Sequence, residues 1–251
     1  MADLTNREEF LRTIRVALGR SGPVTSVQPP PESGLSLDAA SVARRAGEIR
    51  ETMAAKGDEL MAEMAGAATK AGWSVATVAD ATQAREYILG VARKDGAKSV
   101  MRSAHEAVNG LGLEAAMAGA GVDIRLMAVD GVGEAETQRK ALREQALRSD
   151  IGITGIDYAI AETGSVAIVA RKGVSRLVSL VMPVHIAVVM RGQVLPSLDE
   201  LFTLRRHDFN QGNLGSYMNI ITGPSRSADI EQTIVKGVHG PREVHMVLVD
   251  R

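Results

Sequence analysis

The 251 residues set 29 Lys and Arg against 30 Asp and Glu, a formal net charge of −1, and 45% of them are hydrophobic. That apolar share is enough for a sizeable packed core, while the near-neutral balance offers neither a basic surplus for nucleic acid nor a long charged tail. Cysteine is absent, which excludes disulfides, a thiol nucleophile and any iron–sulfur cluster ligated by thiolates of these residues.

Aromatic residues make up only 3%, so Ala, Val, Ile, Leu and Met must build the core, with the 11 Met residues serving first as adaptable filler. In chain order, Asn6–Gly19 reads as a helix with Phe10, Leu11, Ile14 and Leu18 on one face. Its scattered charges distinguish it from a secretory leader, which points to the cytoplasm. Residues 21–36 carry Pro23, Pro29, Pro30 and Pro31 and read as a linker. The expected organisation is therefore a helix over 1–20, a proline-rich linker over 21–36 and one α/β domain over 37–251.

Within that domain, Leu37–Ala71 reads as helix, with Asp38 as its cap. Trp73–Val78, Lys98–Met101 and Val122–Met127 read as strands, separated by helices at Ala81–Lys94, a Gly- and Ala-rich stretch ending near Met117, and Glu134–Arg148. Such alternation with short joins implies parallel strands covered by helices. From Asp150 onward strands dominate: Tyr158–Ala161, Val166–Ala170, His185–Val189, Met218–Thr222 and Val244–Val249. Gly164-Ser165 between two of them fits a hairpin, so part of the sheet should be antiparallel. The nearly apolar run Leu177–Met190 is shorter than the roughly 20 residues of a membrane span and reads as buried sheet.

Several chemistries lack their motif. No G-x-G-x-x-G follows a strand, no G-x-x-x-x-G-K-[ST] occurs, and no H-E-x-x-H occurs. The histidines His105, His185, His207, His239 and His245 are too scattered to read as a metal site.

What remains is a set of polar residues in apolar or glycine-rich surroundings. Glu162 ends an apolar strand beside Thr163: it is either a partly desolvated carboxylate with a raised pKa, fit for nucleophile or base, or a hairpin-end acid in solvent. Arg176 precedes the apolar run and is either a ligand for a carboxylate or a surface charge. His185 lies inside that run, as a ligand contact or a satisfied core histidine. Thr222–Glu231 follows a strand and contains Ser225, Arg226 and Asp229 ahead of an expected helix start. This suits an anion site or a plain cap. His239, between Gly237 and Gly240, is either an exposed group near a ligand or part of a polar turn. Arg205-Arg206-His207 reads as a solvated loop.

Five blocks in order, Gly155–Gly164, Arg176–Leu180, Pro183–Val189, Gly223–Glu231 and Gly237–Pro241, closely resemble the lactate utilization protein C family, whose core is the LUD domain. The resemblance covers Asp150 to the end of the chain firmly and the preceding helix–strand half more loosely. It implies a Rossmann-like three-layer αβα sandwich with a mixed sheet, similar to the sugar-phosphate isomerase and CoA-transferase superfamily. It also implies a part in oxidising L-lactate to pyruvate beside two iron–sulfur partners, lactate utilization proteins A and B, with no cofactor of its own.

On that basis Glu162 and His239 are the catalytic candidates. Thr163, Arg176, His185, Ser225, Arg226 and Asp229 are the candidates for holding a small carboxylate, and all eight are expected to line one pocket. Two alternatives stand beside it: an acyl-CoA transferase or sugar-phosphate isomerase using Glu162, and a non-catalytic regulator or scaffold.

Overall fold

The computed structural model describes residues 9, 12–14, 16, 17, 37–128, 135–213, 215, 217–228 and 234–251. The chain forms two units, Met1–Leu37 and Asp38–Arg251. In the first, the described residues from 9 to 17 are helical, and the Thr13 hydroxyl donates to the Glu9 carbonyl at 2.9 Å. The expected linker lies outside the described residues.

The second unit begins with two helices, α1 (Ala39–Ala55) and α2 (Gly57–Ala71), where sequence periodicity suggests one. Asp38 caps α1 as expected, its carboxylate accepting from the Ser41 amide at 2.7 Å. The break falls at Lys56, whose φ of −107° and ψ of 21° leave the helical region. Arg191 packs against the break: a side chain at Gly57 would stand 2.6 Å from its Nε, and its guanidinium pairs with Asp58 at 2.7 Å. The apolar spacing runs on across the break and so does not reveal it.

Six strands then form the central sheet: β1 (Ser74–Val78), β2 (Ser99–Arg102), β3 (Asp123–Leu126), β4 (Ile151–Gly155), β7 (Val184–Met190) and β12 (Glu243–Val249). Their spatial order is β1-β12-β7-β4-β2-β3, and every pairing is parallel. One face is covered by α3 (Ala81–Lys94), α4 (Glu106–Asn109) and α5 (Leu113–Gly119), packed on Ile151, Ile153, Ile186, Val188 and Val247. The opposite face takes α2 through Leu60, Met64 and Ala68. It also takes α6 (Ala135–Arg148) and α7 (Leu177–Leu180) through Ala146 and Val178. Side chains such as Ile153, Ile186 and Val188 are fully buried, each stabilising the fold by about 1.5–3 kcal/mol.

The antiparallel pairing expected in the C-terminal half forms a sheet of its own, leaving the central one wholly parallel. Its strands are β5 (Tyr158–Ile160), β6 (Ser165–Val169), β8 (Val194–Leu195) and β9 (Met218–Ile221), ordered β8-β5-β6-β9. The β5–β6 hairpin turns at Gly164, at φ 64°, where an added Cβ would strike the α2 backbone at Ala67 and Ala68. Helix α8 (Leu198–Asn210), capped by Ser197, packs Leu201 and Leu204 against Ile160 and Ala167 of this sheet. Arg205-Arg206-His207 therefore belongs to a helix, not to a solvated loop.

One further reading is corrected. Leu177–Met190 is not continuous sheet: Pro183, which has no amide hydrogen to give a ladder, separates the short helix α7 from β7. The helix start expected near residue 229 lies outside the described residues; on either side of it β10 (Arg226–Ala228) pairs antiparallel with β11 (Ile234–Lys236). Among the described residues no helix is long and apolar enough to cross a membrane.

Candidate functional site

Strand order in the central sheet reverses between β2 and β4. From β2 the chain steps outward to β3, then crosses back to β4 and proceeds through β7 to β12. Crevices outside the carboxyl ends of strands at such a reversal are the usual ligand sites of open α/β sheets. Here the residues just past those two ends meet. His105 is 2% exposed, and its Nδ1 accepts from the Ala107 amide at 3.2 Å. The neutral ring therefore carries its proton on Nε2, which faces Oδ1 of Asp157 at 3.7 Å. Only glycine fits at position 155, because a side chain there would run into the His105 ring.

Asp157 is held from three sides. Its Oδ2 accepts from the Val169 amide at 2.7 Å, and its Oδ1 accepts from Nη1 of Arg171, also at 2.7 Å. Burial alone would raise its pKa; the neighbouring His105 ring, the hydrogen bond from the Val169 amide and the Arg171 charge together outweigh burial and hold the carboxyl below its ordinary value. Asp157 thus stays ionised and fixes Arg171, whose Nη1 also donates to the Val169 carbonyl at 3.0 Å. Among the described residues the rest of that guanidinium has no partner, so it keeps donors for a ligand.

Beside this cluster lies a cavity of about 420 Å³, lined by Asp157, Tyr158, Arg171, Arg205, Asp208 and Asn213 among others. Arg205, on α8, donates to Oδ2 of Asp208 at 2.8 Å, and the Tyr158 hydroxyl donates to the same oxygen at 3.3 Å. Burial, and then the Asp208 charge, push the Tyr158 phenol above its ordinary pKa, so it remains a donor. Each arginine is oriented by an aspartate on its own side of the cavity. Two such guanidiniums can hold a small carboxylate through paired N–H bonds, with phenol and carboxylate groups nearby for a hydroxyl.

Of the residues expected from sequence, none of those described lines this cavity. Glu162 is exposed in the turn between β5 and β6. Thr163 donates to Ser165 at 2.8 Å, and Ser165 is in turn 2.6 Å from the Thr222 hydroxyl. Arg176 is exposed, stacked 5.1 Å from the Tyr217 ring centre. Ser225 accepts from the His239 amide at 3.2 Å, while the His239 side chain is exposed. Arg226 donates to the Ala71 carbonyl at 2.8 Å and so closes the end of α2. Asp229 lies outside the described residues.

His185 is a core residue. It is fully buried, bonded through Nε2 to the Thr154 hydroxyl at 2.8 Å and packed 6.0 Å from the Trp73 ring. Burial, followed by the charge of His245, pushes its pKa down to about 3. Ser225 and His239 are joined by the His239 amide hydrogen bond, and Thr163 shares a hydroxyl chain with Ser165 and Thr222. Among the described residues, none of the cavities described brings the seven described candidates together.

Sequence reasoning passes over Asp157, Arg171, His105, Tyr158, Arg205 and Asp208. Asp157 and Tyr158 stand inside the Gly155–Gly164 block, where Glu162 is the more conspicuous group. Arg205 is hidden among its basic neighbours. The signal that could find it is the i, i+3 spacing of Arg205 and Asp208, which pairs them once α8 is recognised. Among the described residues no group of three or more His, Asp or Glu is placed to hold a metal ion.

The sequence pattern of the LUD domain family matches residues 61–249. Lactate utilization protein C of an Exiguobacterium species is 42% identical over 117 residues, covering 45% of this chain and 50% of that protein. Lactate utilization protein C of Bacillus subtilis is 36% identical over 107 residues, covering 42% and 45%. Lactate utilization protein B of a Geobacillus species is 36% identical over 115 residues, covering 45% of this chain and 22% of that one. The aligned part spans about half the length of the protein C relatives. A crystal structure of a DUF162 family protein from Deinococcus radiodurans covers 85% of this chain and 99% of its own, at 17% identity and a TM-score of 0.45.

Proposed function

Because the chain belongs to the LUD domain family, we propose that it is a component of an L-lactate utilization system that oxidises L-lactate to pyruvate. In this reading it acts beside iron–sulfur partners, the lactate utilization proteins A and B, and binds the small acid without carrying the electrons. The names of its relatives, lactate utilization proteins C and B, support the pathway. The lack of cysteine in these 251 residues supports leaving thiolate-ligated clusters to partners.

One observation carries the reading at the level of residues: Arg171 and Arg205 open on one cavity, each anchored by its own aspartate. A 2-hydroxy or 2-oxo acid offers a carboxylate to the two guanidiniums, and its second oxygen falls to Tyr158 and Asp208. Asp157, kept ionised by His105 and the Val169 amide, holds Arg171 in place. His105 is a positioning residue here, since its ring acts on Asp157 and not on the acid.

Deletion of the gene in a host with no other lactate oxidase should abolish growth on L-lactate, and the wild-type chain should restore it. An Arg171→Gln, Arg205→Gln double variant that accumulates normally should fail to restore growth. Unimpaired growth of the deletion strain would remove the pathway assignment. Full rescue by the double variant would remove the cavity from it.

A further inference from the structure

The turn that carries Arg171 also walls a second cavity, of about 600 Å³, on the side of α6 and the carboxyl end of β3. Its floor is apolar: Met127, Ala128, Leu142 and Leu177. Its cations are Arg139 and Arg143 from α6 and Lys172 from the turn, and among the described residues no acid lines it. Among the described residues none of the three is ion-paired. Arg139 and Arg143 stand at i, i+4 on one helix face, where like charges repel, so the helix gains nothing from this placement without an anion. The turn is built to sit there: a Cβ on Gly173, at φ 78°, would stand 2.7 Å from that of Ala104, whose amide donates to the Gly173 carbonyl at 2.8 Å. Lys172 is thereby fixed above the carboxyl ends of β2 and β3.

We propose that this cavity binds a small organic phosphate: a phosphoryl group on an apolar body of alkyl or aryl character. Three cations around one rim suit the dianionic charge and several oxygens of a phosphate better than the single charge of a carboxylate. The apolar floor supplies area that inorganic phosphate cannot use. The inference does not depend on the lactate reading, since the two cavities share only the 171–177 segment and no cation.

Calorimetric titration of the full chain with octyl phosphate, inorganic phosphate and octanol tests it. Octyl phosphate should bind saturably, one per chain, at least about tenfold tighter than inorganic phosphate or octanol, because both halves of the site are then used. Arg139→Gln and Arg143→Gln, both on the exposed side of α6, should each weaken binding several-fold with helix content unchanged. Arg205→Gln, which lies in the other cavity, should leave it intact. The proposal is overturned if octyl phosphate does not saturate, if octanol binds equally well, or if the α6 variants bind normally. Capture by phosphatidic acid vesicles without binding of the soluble ester would also overturn it, in favour of a membrane surface.

Discussion

Nε2 of His105 lies 3.7 Å from Oδ1 of Asp157, joining the carboxyl ends of β2 and β4 where the strand order reverses. The pair is set by backbone, not by chance contact. The α4 amide of Ala107 occupies the other ring nitrogen, and Gly155 leaves the space into which the ring fits. The position of Arg171 at the cavity depends on this pair.

Asp157→Asn should cost about 1.5–3 kcal/mol, because an amide must turn a donor toward either the Val169 amide or Arg171. Urea denaturation checks this. The folded carboxyl lies below its ordinary value of 3.8. Its contribution is therefore full above that pH and disappears as pH falls through the lower folded value. The gap between wild type and variant should close in strong acid and remain constant near neutrality.

His185 gives a second pH dependence at higher pH. Above the ordinary value of 6.5 neither state binds the proton. Below it the unfolded chain does, while the folded core excludes the proton until about pH 3. Stability should therefore decline with acidification by up to about 1.4 kcal/mol per pH unit from this group. Denaturation midpoints for wild type and His185→Gln should diverge in slope across that window, with the variant flatter. Parallel slopes would mean that the imidazole takes up a proton in the folded state.

Two glycines should respond in opposite directions. Gly155→Ala drives a methyl into the His105 ring and should cost about 1–3 kcal/mol. Gly66→Ala lies inside α2 with nothing within 4 Å of the added carbon and should gain about 0.5–1 kcal/mol. Thermal unfolding of the two variants reads both signs.

Much of the scaffold is legible in the sequence because periodicity reports burial. Helix α3 shows its stripe in Ala84, Ile88 and Val91, and the same three residues are buried against the sheet. Strand β4 is hidden although it is central: Ile151-Gly152-Ile153-Thr154-Gly155 contains two glycines, poor strand formers in isolation. They are there because the Val178 carbonyl and the His105 ring approach too closely for any side chain, a constraint set by distant residues. The candidate site is less legible for the same reason. Arg171, Arg205 and Asp157 belong to three different elements, and nothing local says that they face one hollow. Glu162 and Arg226 sit in conspicuous motifs, yet the first faces solvent and the second closes a helix.

The most direct test is calorimetric titration of the full chain with L-lactate and pyruvate, for wild type, Arg171→Gln and Arg205→Gln. Saturable binding of at least one of these acids, one per chain, is expected, weakened about tenfold or more by either substitution. Absence of binding to the wild-type chain, or binding that neither substitution alters, would contradict the assignment of this cavity to a small carboxylate.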